Sequence, residues 1–502
     1  MSIKNLGGRK IKKIHFIGLG GIGVSALAKM MVQQGKKVFG SDLNSSEIIK
    51  KLEKMGVKFY QGHEAENLSA DTDLVIYSPA VEKNNPERIK AKKLSIPQLS
   101  YPEFLGELSK EKFTIAVSGT HGKSTTTAIL GLILEQAKID PLVIVGSKVP
   151  QWNGNLRISR TNTDLTQTKT DSQCRSVSCP RKSVFVVEAC EWRAHMLNLS
   201  PKMIILNNLE LDHTDYYKNI NHLIRTFKTY IKKLPKNGIL IANADDVNLK
   251  KIKSKNKTIT FGIKSQAEVM AKNIITKHGE QIFDLCFKGK IYNFRLKVPG
   301  IFNIYNVLAA TAGALALGVK PEVIKKSVEK FSGIWRRFEI MNADLHGRHT
   351  DGHRKCQCKS VLSQCQSVLF ISDYAHHPTA VSGTIQAARE FYPGKRIVAV
   401  FQPHHHNRTK KLFKEFVKCF KGADLTIISE IYDVAGREEE KDQDVSSKDL
   451  VKAVQKNGQK VLYGRDLKET KKLILENIQP NDVVLIMGAG DIYQIANDLA
   501  NK

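Results

Sequence analysis

Apolar positions along this chain recur in two alternating patterns. Short apolar runs end in glycine or polar residues and are followed by stretches whose apolar positions return every third or fourth residue, the signature of strands leading into helices. KIHFIGLGGIGVSALAKMMVQQGKKVFGSD opens with a strand (Ile14 to Ile17) and turns through Gly18, Gly20 and Gly23. It continues as a helix and closes in a second strand ending at Ser41 and Asp42. LVIYSPAV adds a strand ending at Ser78.

The pattern restarts at FTIAVSGTHGKSTTTAILGLILEQA and runs on through VFVVEA and MIILNN to VPGIFNIYNVLAATAGALALGV, a loop entering a small-residue helix. After FSGIWRRFEI the alternation resumes with VLFISDYAHHP, RIVAVFQPHH, LTIISEIY, VLYG and DVVLIMGAGDIYQIA, separated by helices. Repeated strand and helix alternation predicts an α/β protein with mostly parallel sheets covered by helices. The restarts predict three domains, at residues 1–110, 111–331 and 332–502. Two polar stretches, 161–181 and 346–367, break the rhythm and read as loop insertions.

Composition narrows the setting. The 502 residues are 41% hydrophobic, enough for several packed cores, and no apolar run reaches the length of a membrane span. The opening MSIKNLGGRK lacks the apolar stretch of a secretory signal, so a cytoplasmic enzyme is expected. Eight scattered cysteines do not form a disulfide framework, and reduced thiols are expected. Cys356, Cys358 and Cys365, with His346, His349 and His353 nearby, lack the paired spacing of a structural zinc site. The formal net charge of +29 favours anionic partners, but lysine is spread over the whole chain, which reads as a lysine-rich surface. A nucleic-acid-binding ATPase would show clustered basic residues with interleaved aromatics, and this pattern is missing from the sequence.

Chemistry concentrates in SGTHGKSTTT. Gly119 and Gly122 let the backbone turn tightly after a strand, so that successive N–H groups converge on phosphate oxygens, and Lys123 supplies a positive charge. Ser124 or Thr125 offers a hydroxyl to a magnesium ion. The general phosphate-loop pattern would require glycine at Val117, and a plain strand-to-helix turn would use the same glycines. Phosphoryl transfer also calls for carboxylates or imidazoles at neighbouring strand ends. Glu188 ends one such strand, and Asp212 and His213 follow another; each could also be a solvated strand end. GLGGIG, with Asp42 nineteen residues beyond Gly23, fits a dinucleotide turn and its ribose ligand, which keeps a dehydrogenase in view. Two such turns in separate domains are better explained by an enzyme that joins two substrates.

Taken together these motifs resemble the Mur ligases, end to end apart from the two insertions. GTHGKS resembles that family's ATP loop, ELDHTDYY its metal-binding histidine motif, VPGIFNIYN its adenine-side asparagines, and WRRFE its third-domain arginine motif. SDYAHHP and FQPHHHNRT resemble its C-terminal site. The resemblance implies a Rossmann-like UDP-binding domain, a central P-loop-type ATPase domain and a C-terminal Rossmann-like α/β domain. It also implies ATP as co-substrate with Mg2+, and UDP-N-acetylmuramate and L-alanine as substrates of an early step of peptidoglycan synthesis that passes through an acyl phosphate. No nucleic acid, no membrane insertion, and a monomer or weak homodimer go with it.

Residue by residue, the resemblance assigns Gly18, Gly20, Gly21, Ile22, Gly23, Asp42 and Ser78 to the UDP-sugar. Gly119, Thr120, His121, Gly122, Lys123, Ser124, Thr125, Asn303 and Asn306 fall to ATP, and Ser124, Glu188 and His213 to the metal. Lys123, Glu188, His213, Arg337 and Asp373 become catalytic, and Tyr374, His376 and Arg408 face the amino acid. Two departures bear on the amino acid more than on the reaction: His405 stands where the family has arginine, and EACEW replaces EADES. Within the family the alternative is a recycling ligase that joins a tripeptide to the same UDP-sugar, and the ending GAGDIYQIA favours L-alanine. Folylpolyglutamate synthase shares the ATP loop but lacks the N-terminal domain.

Overall fold

The structure, a computed structural model, describes residues 5–6, 9–159, 183–277, 279–341, 368–433 and 444–500. The two polar insertions and their Cys/His group lie outside the described residues. The chain folds as two compact units. One comprises Met1–Leu209, Ile224–Met270 and Asn306–Ser327, and the other Glu210–Leu223, Ala271–Tyr305 and Val328–Lys502.

The first unit contains two sheets. Its N-terminal sheet is built from β1 (Lys13–Ile17), α1 (Ile22–Gln33), β2 (Lys37–Asp42), α2 (Glu47–Glu53), β3 (Lys58–Gln61), β4 (Leu74–Tyr77), α3 (Pro86–Lys93), β5 (Gln98–Ser100) and α4 (Tyr101–Lys110). Its strand order is β3-β2-β1-β4-β5, all parallel. The chain moves outward from β1 in both directions, so the crevice beyond the C-terminal end of β1 is a topological switch point, where open α/β sheets bind ligands. Helix α4 begins with a capping box: the Ser100 side chain accepts from the Glu103 amide while Glu103 accepts from the Ser100 amide.

The second sheet follows through β6 (Phe113–Ser118), α5 (Lys123–Gln136), β7 (Leu142–Val149), β8 (Gly154–Arg157), β9 (Val184–Glu188), β10 (Met203–Leu206), α6 (Ile220–Ile231), β11 (Ile239–Asn243) and β12 (Lys257–Gly262). Its order runs β8-β7-β9-β6-β10-β11-β12 and then into the first residues of β13 (Val269–Lys277). Only β8 is antiparallel to its neighbour in this run. Strand β6 reads TIAV without alternation because both of its faces are covered, and Ile115, Ala116 and Val117 are fully buried. The register places Glu188 beside Val117 and Leu206 beside Ser118, so β9 and β10 end level with the turn that leaves β6.

The second unit carries the antiparallel hairpin β14 (Glu280–Phe287) and β15 (Lys290–Leu296), joined through Lys288 and Gly289, both at positive φ as a tight hairpin requires. Helices α7 (Ile301–Ala316) and α8 (Pro321–Glu329) come next in the chain, and most of each, within Asn306–Ser327, belongs to the first unit. A six-stranded sheet then forms from β16 (Glu339–Met341), β17 (Leu369–Asp373), α9 (Pro378–Phe391), β18 (Ile397–Phe401), α10 (His406–Lys411), α11 (Phe413–Cys419), β19 (Leu425–Ser429), α12 (Ser447–Lys456), β20 (Val461–Gly464), α13 (Leu467–Asn477), β21 (Val483–Met487) and α14 (Tyr493–Ala500). The order is β16-β17-β21-β18-β19-β20, with only β16 antiparallel. Separate apolar clusters cover its two faces, one around Phe401, Phe416 and Phe420, the other around Ile427, Ile486 and Ile495.

Cys190, Cys286 and Cys419 are free thiols, and no helix among the described residues is long and apolar enough to cross a membrane.

Candidate active site

The turn between β6 and α5 is closed by two glycines that nothing larger can replace. At Gly119 (φ +125°) a Cβ would stand 2.9 Å from the Asn208 carbonyl oxygen, and at Gly122 (φ +81°) it would stand 2.1 Å from Asn306 Oδ1. Gly122 caps α5 without any side-chain bond to the helix amides. Such an end presents N–H groups and the positive pole of the helix to whatever anion lies there.

The turn is held from β10. The Asn208 carbonyl accepts from the Thr120 amide at 3.0 Å, and its side chain accepts from the His121 amide at 2.8 Å. Asn207 Nδ2 donates to Thr126 Oγ1 at 2.9 Å, and Thr126 Oγ1 donates in turn to Asn306 Oδ1 at 3.2 Å. Asn306 is therefore knit into the base of the turn.

Lys123 folds back over the loop. Its ammonium donates to the carbonyls of Gly119 (2.7 Å) and Thr120 (3.1 Å) and pairs with Glu191 at 2.9 Å. Burial opposes the charge, but Glu191, with Cys190 and Glu188 nearby, outweighs it and raises the lysine above its ordinary value. Next to it, Ser124 Oγ donates to Glu188 Oε2 at 3.1 Å, and the other Glu188 oxygen accepts from the Gly146 amide. A hydroxyl and a carboxylate side by side form an all-oxygen donor set, the kind that suits Mg2+. Thr125 lies buried in the first turn of α5.

The N-terminal turn brings its predicted residues together. The amides of Gly18 and Leu19 donate to the Ser41 carbonyl, and the Gly20 amide donates to Asp42 Oδ2 at 2.8 Å. A Cβ on Gly18 would meet Ser78 at 2.8 Å, and one on Gly23 would strike the Tyr101 ring at 2.6 Å. Gly21 caps α1, again with no side-chain bond, and the Ile22 carbonyl accepts from Asn155. Behind Ser41 lies a buried polar group: Glu87 accepts from Ser41 at 2.6 Å and contacts His15 at 2.5 Å and His63 at 3.0 Å. The buried Tyr101 phenol, raised by burial and by the Glu188 carboxylate, stands between the two regions of this unit.

In the second unit, the Asp373 carboxylate accepts from the Phe338 and Ala375 amides, each at 2.7 Å. Burial raises its pKa against the opposing pull of Arg337, whose guanidinium stands 5.0 Å from the Tyr374 ring centre. Arg408 Nε donates to Asp212 at 2.9 Å, which holds that carboxyl well below its ordinary range despite burial. His376 bonds the Tyr374 carbonyl at 2.8 Å, and burial together with Arg408 pushes its pKa down to about 4, so it is neutral at pH 7 with Nδ1–H donating. His405, at φ +69°, contacts Asp433, as does His406. His213, at φ +49°, donates its amide to Asp212 Oδ1 at 2.7 Å. Asn303 donates to the Pro299 carbonyl at 2.7 Å. Asp212, Tyr374, His376 and Arg408 thus gather in this unit, while Lys123, Ser124, Glu188 and Asn306 gather in the other.

Three family models cover nearly the whole chain: the Mur ligase family catalytic domain at residues 13–113, the Mur ligase middle domain at 117–314, and the Mur ligase glutamate ligase domain at 359–490. A UDP-N-acetylmuramate--L-alanine ligase of Acetivibrio thermocellus is 38% identical over 493 residues, spanning 97% of this chain and 95% of the relative. The chain belongs to the Mur ligase family. A second relative of that name, from Sulfurihydrogenibium sp., is 36% identical over 98% of both chains. Among solved structures, the UDP-N-acetylmuramate-alanine ligase of Thermotoga maritima superposes with a TM-score of 0.76 at 27% identity, covering 97% of this chain and 98% of the other. A murein peptide ligase of Psychrobacter arcticus shares the fold, with a TM-score of 0.66 at 23% identity and 98% of each chain covered. The three-domain α/β Mur ligase fold, with its mostly parallel sheets, is that of this chain.

Seen within this Mur ligase, several residues matter that the motifs alone did not mark. Glu191, the ion-pair partner of Lys123, is three residues past Glu188 in EACEW, beyond the strand and just before a kinked 3-10 turn with Arg193 and Ala194 at positive φ. Asn207 and Asn208 anchor the β6–α5 turn, although asparagines after a strand read as ordinary strand ends. Arg336, neighbour of Arg337, is buried and donates to the carbonyls of Gly488 and Gly490, which ties WRRFE to the ending GAGDIY.

Proposed function

We propose that this Mur ligase joins L-alanine to the lactyl carboxylate of UDP-N-acetylmuramate, converting ATP to ADP and phosphate, in the cytoplasm as an early step of peptidoglycan synthesis. The carboxylate is a poor acylating agent. It first takes the γ-phosphoryl group to give an acyl phosphate, and the amine of L-alanine then attacks the carbonyl and expels phosphate. What carries the reading is a partly buried ammonium beside an oxygen-only pair, Lys123 with Ser124 and Glu188, at the mouth of a glycine-bounded turn.

In this reading the turn from Gly119 to Gly122, with the first amides of α5 and the Lys123 ammonium, binds the ATP phosphates and stabilises charge that develops on the transferred group. Ser124 and Glu188, with His213, would hold Mg2+, which supplies charge neutralisation between phosphate oxygens. Asn303 and Asn306 serve the adenine, and Arg337 and Asp373 complete the ATP site. Tyr374, His376 and Arg408 receive the amino acid. Gly18, Gly20, Gly21, Ile22, Gly23, Asp42 and Ser78 hold the UDP-sugar. The domains divide at 110/111, between α4 and β6, and at 331/332, just before Gly333 turns at φ +94°.

A substrate panel tests the proposal. ADP should form with ATP, Mg2+, UDP-N-acetylmuramate and L-alanine together, and not when any one is omitted. Glycine, L-serine and a murein tripeptide are the competitors. Rapid turnover with the tripeptide and none with L-alanine would replace this reading with that of a recycling ligase.

A further inference from the structure

Ten basic residues fall among the 33 positions from Arg225 to Lys257: Arg225, Lys228, Lys232, Lys233, Lys236, Lys250, Lys251, Lys253, Lys255 and Lys257. All ten are exposed. None pairs with a carboxylate among the described residues; Lys250 and Lys251 reach only Ser265 and Asn248. The two acids of the stretch are spent elsewhere. Asp245 accepts from the amides of Ile263, Lys264 and Ser265, and Asp246 from those of Leu209, Asn248 and Leu249.

The fold gathers six of these charges, Lys232, Lys233, Lys236, Lys253, Lys255 and Lys257, at one edge of the sheet, while Lys250 and Lys251 lie toward the other, beside Ser265 just past β12 and Asn248. Helix α6 connects β10 to β11, and a crossover through Lys250 to Lys255 connects β11 to β12, both steps in the same direction across a parallel sheet. Right-handed crossovers of that kind lie on one face. Asn256 Nδ2 donates to the Pro235 carbonyl at 2.7 Å, so the two lysine runs meet where they reach the start of β11 and β12. Exposed Lys202, whose carbonyl accepts from the Ile239 amide, extends the same edge. This is the N-terminal edge of the strands, and the ATP-loop turn leaves from the C-terminal edge, about 17 Å away along a five-residue strand. The patch therefore serves neither ATP nor the acyl phosphate.

We propose that this lysine surface docks the enzyme on anionic lipid headgroups at a membrane surface, without insertion. Lysines on alternate positions from Lys251 to Lys257, with Lys232, Lys233 and Lys236 just past the end of α6, present mobile point charges, which suit the laterally mobile phosphates of a bilayer. Nucleic acid fits less well. The aromatics of the stretch, Phe227 and Tyr230, are fully buried, so bases have nothing to stack on, and Arg225 is the one guanidinium among the ten basic residues.

The test is sedimentation of the full-length enzyme with vesicles of phosphatidylcholine alone or containing about 30% phosphatidylglycerol, at about 0.1 M salt where surface charge is only partly screened. Binding is expected to the anionic vesicles only and should fall steeply with added salt. Replacing Lys232, Lys233, Lys236, Lys253 and Lys255 together by Gln should weaken it by about tenfold or more. The same change at Lys421, Lys452, Lys456, Lys460 and Lys468, exposed in the second unit, should weaken it less than about twofold. Arginine at the first five positions should retain binding, with ADP formation unchanged in all three variants. Equal loss from both Gln sets, equal binding to the neutral vesicles, or tighter binding to polyuridylate RNA at the same salt would overturn the proposal.

Discussion

Two turns of the first unit share one backbone plan and differ in charge. Both leave a parallel strand, pass through glycines and enter a helix whose first amides have no side-chain cap. At the N-terminal turn the near charge is a carboxylate, Asp42, already bonded to the Gly20 amide, with neutral Ser78 and Tyr101 against the glycines. At the β6–α5 turn an ammonium is drawn over the loop by Glu191, and a second carboxylate waits beside a hydroxyl. The geometry alone says that an anion or a ribose fits at either turn. In the function proposed above, the charges decide which one supports transfer of a phosphoryl group and which only holds a nucleotide.

The sharpest way to break this contrast is to remove the ammonium. Lys123→Ala should lower kcat by roughly a hundredfold or more with the fold intact by circular dichroism. Near-normal turnover would show that the two turns do not differ in role. The glycines come next. Gly122→Ala forces a side chain to φ +81° and into Asn306, and should cost about 1–3 kcal/mol of stability with most of the activity. Gly21→Ala, at φ −62° with its nearest neighbour 3.4 Å away, should stay within about 0.5 kcal/mol in thermal unfolding.

Glu191→Gln sharpens the comparison further. A raised lysine pKa means the charge is complete at neutral pH and is lost only as pH rises through the elevated value. The variant should lose about tenfold in kcat/KM at neutral pH, and its alkaline limb should move to lower pH. An unmoved limb would mean that Glu191 does not govern Lys123. The smallest kinetic effect is expected at the other turn, where Asp42→Asn should raise KM for the UDP-sugar by about three- to tenfold and leave kcat unchanged.

Both turns were legible in the sequence because glycine at positive φ leaves few alternatives, and the strand and helix alternation fixed the parallel sheets. The β14–β15 hairpin was not seen, since its alternation of one buried and one exposed position carries a weak apolar signal between two stronger segments. Arg336 and Arg337 are indistinguishable as letters, and only the fold shows which one is buried against Gly488 and Gly490. The lysine surface was hidden for a different reason. Net charge is a sum over the chain, and the two lysine runs become one patch only when β11 and β12 align.

The place of β21 in its sheet has a consequence for biosynthesis. This strand lies between β17 and β18, yet in sequence it follows every other described strand of that sheet. Until Val483–Met487 leave the ribosome, β17 and β18 have no common neighbour, and the Arg336 anchor on Gly488 and Gly490 is missing as well. The N-terminal sheet, complete by Ser100, has no such wait. Nascent chains of this enzyme therefore carry a finished N-terminal sheet long before the six-stranded one can close, and a frameshift just ahead of Val483 would leave that later sheet in two halves.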